Sequence, residues 1–307
     1  MEKRPKIAVL MSSYNGEKFI KEQIDSILSQ KDVDVTLFIR DDGSTDKTIE
    51  IIGTYLNNNN VKLITDGRNL RPGLSFLTLL SEVVKKEQIF DYYAFSDQDD
   101  IWLEEKLIAA VKMINGYDNP TLYCSNQIIY ENNMNTGVRF LREPVINLLK
   151  CVSVNEMYGC TMVFNRKLAE IVETTRYPSE YFLIKRNHDA WILLLALIKG
   201  HIIYDNNAYM FYRIHNNNVV GLNKLTIYGR LYRFMKKGVK NLRKTSCNDL
   251  LESFPHLDFK DRCHIEKMAN YQNNIKDRIS LLKDYRYCKC ERESVWAFWT
   301  KVIINYI

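Results

Sequence analysis

Ile7-Ala8-Val9-Leu10-Met11, followed at once by Ser12-Ser13-Tyr14-Asn15-Gly16, decides the fold. The apolar run has no polar alternation. It reads as a strand buried on both faces, the pattern of a parallel sheet covered by helices. The polar residues after it form a loop, and residues 17–29 then place Phe19, Ile20, Ile24, Ile27 and Leu28 on one helical face. The same unit repeats. Residues 35–40 read as a second strand, after which Ser44-Thr45-Asp46 cap a helix running to about residue 56. Residues 61–65 form a third strand and 74–85 a helix; residues 92–96 form a fourth strand and 103–114 a helix. Such alternation implies an α/β fold whose ligands bind at the carboxyl ends of the strands. Three polar clusters stand there: Ser12-Ser13-Tyr14-Asn15, Asp41-Asp42-Gly43-Ser44 and Ser96-Asp97-Gln98-Asp99-Asp100.

The second half is less regular. Residues 122–129 and 159–165 read as strands, 189–199 as an apolar helix, and 201–205 and 208–215 as short strands. From about residue 222 the pattern is helical. The expected organisation is one α/β domain over residues 1–221 and a basic helical region over 222–307.

The 307 residues carry 43 basic and 37 acidic side chains, a net charge of +6. With 46% hydrophobic and 26% charged residues the chain is globular in composition, which excludes disordered and fibrous classes. The charge is unevenly placed. Residues 222–307 hold 18 basic and 9 acidic side chains, net +9, so residues 1–221 are net −3. That asymmetry points to an anionic partner for the C-terminal part: nucleic acid, acidic lipid or a phosphorylated substrate. No secretion signal and no run of ~18 apolar residues is present. Seven scattered cysteines with no C-x-x-C pair exclude zinc-site spacing and read as mostly buried thiols. A cytoplasmic protein is expected.

Taken singly, the polar clusters have two readings. Asp97 and Asp99 on an extended segment suit a hard cation such as Mg²⁺ or Mn²⁺. Equally, Asp100 reads as the cap of the next helix, with Glu104 and Glu105 in its first turn. The Asp41–Asp46 stretch reads as turn chemistry. Tyr14 reads as a base-stacking residue or a turn residue, and Asp189 as a functional carboxylate or the cap of the following helix.

Together, in this order, they are specific. Val9-Leu10-Met11-Ser12-Ser13-Tyr14-Asn15-Gly16, Ile39-Arg40-Asp41-Asp42-Gly43-Ser44-Thr45-Asp46 and Phe95-Ser96-Asp97-Gln98-Asp99-Asp100-Ile101-Trp102 closely resemble the family 2 glycosyltransferases. Gly159-Cys160-Thr161-Met162-Val163-Phe164-Asn165-Arg166, Asn187-His188-Asp189-Ala190-Trp191 and Tyr212-Arg213-Ile214-His215-Asn216-Asn217-Asn218 extend the likeness to the bacterial rhamnosyltransferase-like subgroup. The resemblance covers residues 6–221. It implies a GT-A fold, a Rossmann-like nucleotide-binding sheet with helices on both faces, followed here by a C-terminal helical extension. It also implies an inverting hexosyl transfer from a nucleotide-diphosphate sugar, dTDP-rhamnose or a UDP-sugar.

Carried over by position, Ser12 and Tyr14 line the base and Asp42 accepts from its ring N–H. Asp97 contacts the ribose side, Asp99 ligates Mn²⁺ or Mg²⁺ at the diphosphate, and Asp189 is the catalytic base. Beside these, His215 joins the metal shell or binds the diphosphate with Arg213, and His188 and Trp191 are candidate acceptor contacts, packing being an equally good account of Trp191. Residues 69–76 depart from the family's usual Asn-x-Gly pattern, and Arg68 or Arg71, Arg71 first, is the nucleotide contact expected there.

The C-terminal region lies outside the resemblance. Leu225, Tyr228, Tyr232, Met235, Val239 and Leu242 share one helix face, with Arg230, Arg233, Lys236, Lys237, Lys240, Arg243 and Lys244 around it. A basic amphipathic helix reads as membrane-surface binding or as packing on the catalytic domain. Trp296, Phe298, Trp299, Val302, Ile303 and Ile304 form a second apolar element that packs, dimerises or lies in the interface. The expected function is therefore extension of a saccharide, carried on lipid, at the inner membrane face during cell-surface polysaccharide synthesis. The alternatives are a basic-tail nucleic-acid binder, disfavoured because no nucleic-acid module is present, and a nucleotide-sugar binder without catalysis.

Overall fold

The structure, a computed structural model, describes residues 3–86, 89–215, 240–289 and 293–307. It divides into two compact units: Met1–Pro144 with Met157–Thr175 and Asn187–Asn218, and Val145–Glu156 with Arg176–Arg186 and Val219–Ile307.

The first unit is built on a nine-stranded sheet. Its strands are β1 (Lys6–Ser13), β2 (Asp34–Asp41), β3 (Val61–Thr65), β4 (Tyr92–Ser96), β5 (Ile101–Trp102), β6 (Thr121–Glu131), β7 (Met134–Val138), β8 (Val163–Asn165) and β9 (His201–Arg213). Its helices are α1 (Ile20–Leu28), α2 (Thr48–Gly53), α3 (Arg71–Val84), α4 (Lys106–Ile114) and α6 (Arg166–Thr174); α5 (Leu148–Cys151) belongs to the second unit. The strand order is β3-β2-β1-β4-β8-β6-β9-β5, with β7 paired to β6. The four N-terminal strands pair in parallel, as their alternation with helices implies. Beyond β4 the sheet is mixed: β8 is antiparallel to β4 and β6, β5 to β9 and β7 to β6, while β6 and β9 are parallel.

Register explains why the polar clusters meet. Ser13 pairs with Asp41, and Met11 pairs with Ser96. The carboxyl ends of β1, β2 and β4 are therefore level, and the three loops leave the sheet along one edge. The strands are fixed by a core that includes Ile7, Val9, Met11, Ile24, Leu37, Ile39, Ala94, Leu107 and Val163, all buried.

Several sequence expectations shift. Residues 159–165 are not one strand: Gly159–Thr161 is a 3₁₀ turn and only Val163–Asn165 pairs. The two short strands expected over 201–215 are one, β9, with register shifts against β6 near Ser125 and Asn126. Asp100 does not cap α4, because Ile101 and Trp102 pair with β9 first and the helix begins at Lys106. The helical stretch α7 (Glu180–Lys199) is longer than expected and breaks at Asn187, whose φ of 61° is rarely adopted by a side-chain-bearing residue.

The second unit contains α5, residues 176–186, α8 (Leu242–Ser253), α9 (Arg262–Asn270), α10 (Ile275–Lys283), α11 (Tyr285–Cys288) and α12 (Val295–Ile303). Cys247, Leu250, Ile265, Met268, Tyr271, Leu281, Cys288, Phe298 and Val302 are buried in it. Val145–Glu156 and Arg176–Arg186 group with this unit, which a partition at residue 221 does not anticipate. The contacts that hold them are dispersed: Ser179 Oγ donates to Asp249 (2.9 Å), and Tyr181 donates to the Lys240 carbonyl (2.8 Å). Arg243, expected on a solvated basic face, is buried. It donates to the Cys288 carbonyl and pairs with Glu293, which also takes Lys301. The rest of the expected amphipathic helix, from Leu225 to Val239, lies outside the described residues. Among the described residues no helix is long and apolar enough to cross a membrane.

Candidate active site

The loop after β1 is tied to the loop after β2. Asn15, at φ 49°, donates from its N–H to Ser44 Oγ (2.9 Å) and accepts from Thr45 N–H (2.9 Å). Gly16 N–H donates to Thr48 Oγ1 (2.8 Å), and Glu17 N–H donates to Asp46 (3.1 Å). Within the second loop the two adjacent aspartates have different tasks. Asp41 is fully buried and accepts from Ser13 Oγ, Gly43 N–H, Ser44 N–H and Ser44 Oγ. Its lone pairs are used in holding the turn. Asp42, also buried, has one oxygen on Arg40 (2.5 Å), and that guanidinium reaches Asp66 with its other arm (2.8 Å). Arg40 and Asp66 carried no signal in the sequence; a buried arginine is satisfied here only because two carboxylates flank it. Tyr14 projects beside Asp42's loop with its ring 49% exposed, and Ser12 Oγ lies 2.7 Å from Ser75 Oγ.

The loop after β4 gathers carboxylates. Asp97, Asp100 and the Cys160 thiol bring ligand atoms within 4.8 Å of one another. Asp99 Oδ2 lies 2.7 Å from His215 Nε2, so the structure brings these two predicted metal residues together. Arg213 locks the loop from β9: its N–H donates to Asp100 Oδ1 (3.3 Å), its Nε to the Asp99 carbonyl (3.0 Å), and it pairs with Glu22 of α1. Burial pushes the Asp97 carboxyl up to about 7, and the charges of Asp99 and Asp189 push it the same way. Burial, then Asp99 and Asp97, raises Asp100 well above the usual carboxylate range. Asp100 Oδ2 is buried without a hydrogen bond among the described residues. Crowded carboxylates with an orphaned oxygen and a histidine at the rim form a donor set that fits a hard divalent cation.

Beneath them, Cys160 accepts from Gln127 (3.1 Å), and the Lys106 ammonium sits over the Trp102 ring (3.8 Å), its pKa lowered to about 8 by burial. Sequence reasoning missed Cys160, Lys106 and Gln127. Their charges and polar groups converge across the sheet, and no local pattern announces it.

Asp189 follows the break at Asn187. Its oxygens accept from Gly159 N–H (3.3 Å) and from its own neighbour Ala190 N–H (2.7 Å), which fixes the carboxylate's direction. Of the two candidate acceptor contacts, Trp191 takes the packing alternative and His188 is buried as well. Trp191 is fully buried and belongs to the core. His188 is 5% exposed, stacked on Phe76 (4.0 Å) and edge-on to Phe95 (4.7 Å). The apolar face of this helix draws both rings inward. His188 also explains Gly159, where an added Cβ would lie 2.8 Å from its Nε2. Arg71 is exposed at the first residue of α3, with its N–H on Asn69 Oδ1 (3.1 Å). It joins none of the carboxylates above.

Residues 8–172 match the family model for glycosyl transferase family 2. The dTDP-rhamnosyl transferase RfbG of Shigella flexneri is 31% identical over 230 residues, covering 69% of this chain and 74% of that protein. The UDP-Glc:alpha-D-GlcNAc-diphosphoundecaprenol beta-1,3-glucosyltransferase WfgD of Escherichia coli is 27% identical over 190 residues, 62% of this chain and 69% of that one. Among solved structures, TarS 1–349 of S. aureus in complex with UDP-GlcNAc superposes with a TM-score of 0.58 at 18% identity, over 92% of this chain and 78% of that one. The mannosyltransferase PcManGT of Pyrobaculum calidifontis, in complex with GDP-Man and Mn²⁺, gives 0.53 at 12% identity, over 99% and 86%. The shared architecture is the GT-A fold. A family match over more than half of the sequence, joined to a rhamnosyl transferase relative of 31% identity, shows that this chain belongs to glycosyl transferase family 2, among its bacterial rhamnosyltransferase-like members.

Proposed function

We propose that the protein moves a hexose from a nucleotide-diphosphate donor, dTDP-rhamnose or a UDP-sugar, to a lipid-linked saccharide, with inversion at the anomeric carbon. The observation that carries this reading is the convergence of Asp97, Asp99 and Asp189, close enough for the last two to shift the first. Tyr14 and Ser12 line the base, Asp42 accepts its ring N–H, and Asp97 faces the ribose. Asp99 and His215 hold Mn²⁺ or Mg²⁺. A cation held there offsets the charge that develops on the leaving diphosphate.

Asp189 takes the proton of the acceptor hydroxyl while that oxygen bonds to the anomeric carbon and the bond to the diphosphate breaks. A positioned base of this kind contributes ~10²–10⁴-fold. The lipid-linked acceptor is supported by the diphosphoundecaprenol substrate in the name of the Escherichia coli relative. A peripheral place on the inner membrane face is supported by the net +9 of residues 222–307 and by Trp296, Ile303 and Ile304 of the C-terminal helix region, all exposed.

The test is a thermal-shift panel of dTDP-rhamnose, UDP-glucose and UDP-GlcNAc, each with Mn²⁺ or Mg²⁺. A true donor at a hundred times its Kd adds ~2.7 kcal/mol to apparent stability. No shift with any nucleotide sugar refutes the reading. NMR of the first product distinguishes inversion from retention.

A further inference from the structure

Gln98 separates Asp97 from Asp99, and its carboxamide is spent on a distant backbone. Tyr14 N–H donates to Gln98 Oε1 (2.9 Å), and Gln98 Nε2 donates to the Tyr14 carbonyl (3.0 Å). Both bonds read only main chain, so the tyrosine ring stays free. The approach depends on Gly16: a Cβ there would lie 2.3 Å from Gln98 Oε1 and 2.6 Å from its Cδ. On its other side the Tyr14 loop is tied through Asn15 to Ser44 and Thr45, beyond Asp42. The amide is thus the strap between the loop that carries three carboxylates and the loop that carries the exposed aromatic residue.

We propose that Gln98 is a positioning residue that couples the two halves of the donor site. Ordering the Asp97–Asp99 loop around a divalent cation orders Tyr14 for a nucleobase, and the reverse follows, since a coupling free energy between two sites is reciprocal. The inference rests on the nucleotide-diphosphate reading of the site and adds to it a mechanism of cooperativity.

The decisive ligands are uridine and thymidine, which carry no diphosphate and so cannot touch the cation directly. Their affinity for the full chain is measured by ligand-observed NMR, with Mg²⁺ and without it. In the wild type, Mg²⁺ tightens the nucleoside about five- to tenfold, the lower range of typical couplings. Gln98→Ala brings that factor to about one, while the nucleoside still binds.

Gly16→Ala acts in the same direction by pushing the carboxamide off Tyr14. Gln98→Glu keeps an acceptor for Tyr14 N–H but sets an oxygen against the Tyr14 carbonyl, and it serves as the second variant should Gln98→Ala fold poorly. A strap that only stabilised the loops would lower the melting temperature and leave the Mg²⁺ factor intact. A Mg²⁺ factor in Gln98→Ala equal to that of the wild type overturns the proposal. So does a metal-independent nucleoside affinity in a wild type that still binds UDP or dTDP, and that result leaves the donor reading standing. A wild type that binds no nucleoside or nucleoside diphosphate overturns both.

Discussion

Acidification should withdraw the stability that buried, neutral His188 contributes. The ring is buried between Phe76 and Phe95, neither nitrogen has a hydrogen bond among the described residues, and burial lowers its pKa from 6.5 to about 3. The unfolded chain takes up this proton below about pH 6.5, whereas the folded chain refuses it until about pH 3. Between those values the unfolded state binds one more proton at this site, so the His188 contribution falls as pH falls, while Asp97 and Asp100, with raised pKa values, act in the opposite direction. The contribution is whole above pH 6.5. Each unit of acidification below it removes at most ~1.4 kcal/mol, and pH 4.5 removes ~2.7 kcal/mol. Against a total of ~5–15 kcal/mol this is a large fraction.

The assay is urea unfolding followed by tryptophan fluorescence at half-unit steps from pH 7 to 4.5, on the wild type and on His188→Leu. The substitution has its own packing cost, but that cost does not change with pH. Carboxylates titrate alike in both proteins. The difference between the two slopes therefore isolates His188, and the variant should be shallower by about one proton below pH 6. Parallel slopes would mean that the ring protonates in place, and the reasoning would fail.

Three further outcomes follow from the same geometry. Asp189→Asn should lower kcat at least ~100-fold, the low end for a lost base, with an unchanged melting temperature and donor KM; full turnover would remove Asp189 from the mechanism. Gly159→Ala should cost ~1–3 kcal/mol by overpacking, because the new methyl meets a histidine wedged between two rings; it should also depress kcat more than donor KM, since Gly159 holds Asp189. Asp41→Ala and Asp42→Ala should both lower the melting temperature, the first by releasing the turn and the second by leaving buried Arg40 with one carboxylate, whereas only Asp42→Ala should also weaken nucleotide binding. Calorimetry with UDP and dTDP separates the two, and equal effects on affinity would contradict the division of labour between these neighbours.

The N-terminal sheet was legible because its signal is local. Val61–Thr65 and Tyr92–Ser96 coincide with the expected strands, since each is a short run rich in β-branched or aromatic residues. The antiparallel additions were not legible. β5 has two residues and β8 three, and each is a strand only because a partner already stands beside it. The same limit hid the grouping of Val145–Glu156 and Arg176–Arg186 with the C-terminal helices, which is made by contacts between segments far apart in sequence, Ser179–Asp249 and Arg176–Glu252 among them.

Asp100 shows how this limit bears on the chemistry. By local rules an acid followed by two more within five residues is a helix start, and the cap was the reasonable expectation. Ile101 and Trp102 overrule it because they gain more as an edge pair against Met210 and Phe211 of β9 than as a first helical turn. That pairing pulls Asp100 inward, away from water and toward Asp97 and Cys160, and leaves one oxygen without a bond among the described residues. In that position burial first, and then the charges of Asp99 and Asp97, raise the Asp100 carboxyl well above the usual carboxylate range. The net charge of residues 1–221 is only −3, yet the negative charge that matters is compressed into one loop. The +9 of the C-terminal region lies in another compact unit, with Arg243 and Lys301 committed to Glu293. Among the described residues of the first unit, Lys106 acts on Asp100 by its charge and Arg213 donates its backbone N–H to it, and the cation of the proposed function would add to them.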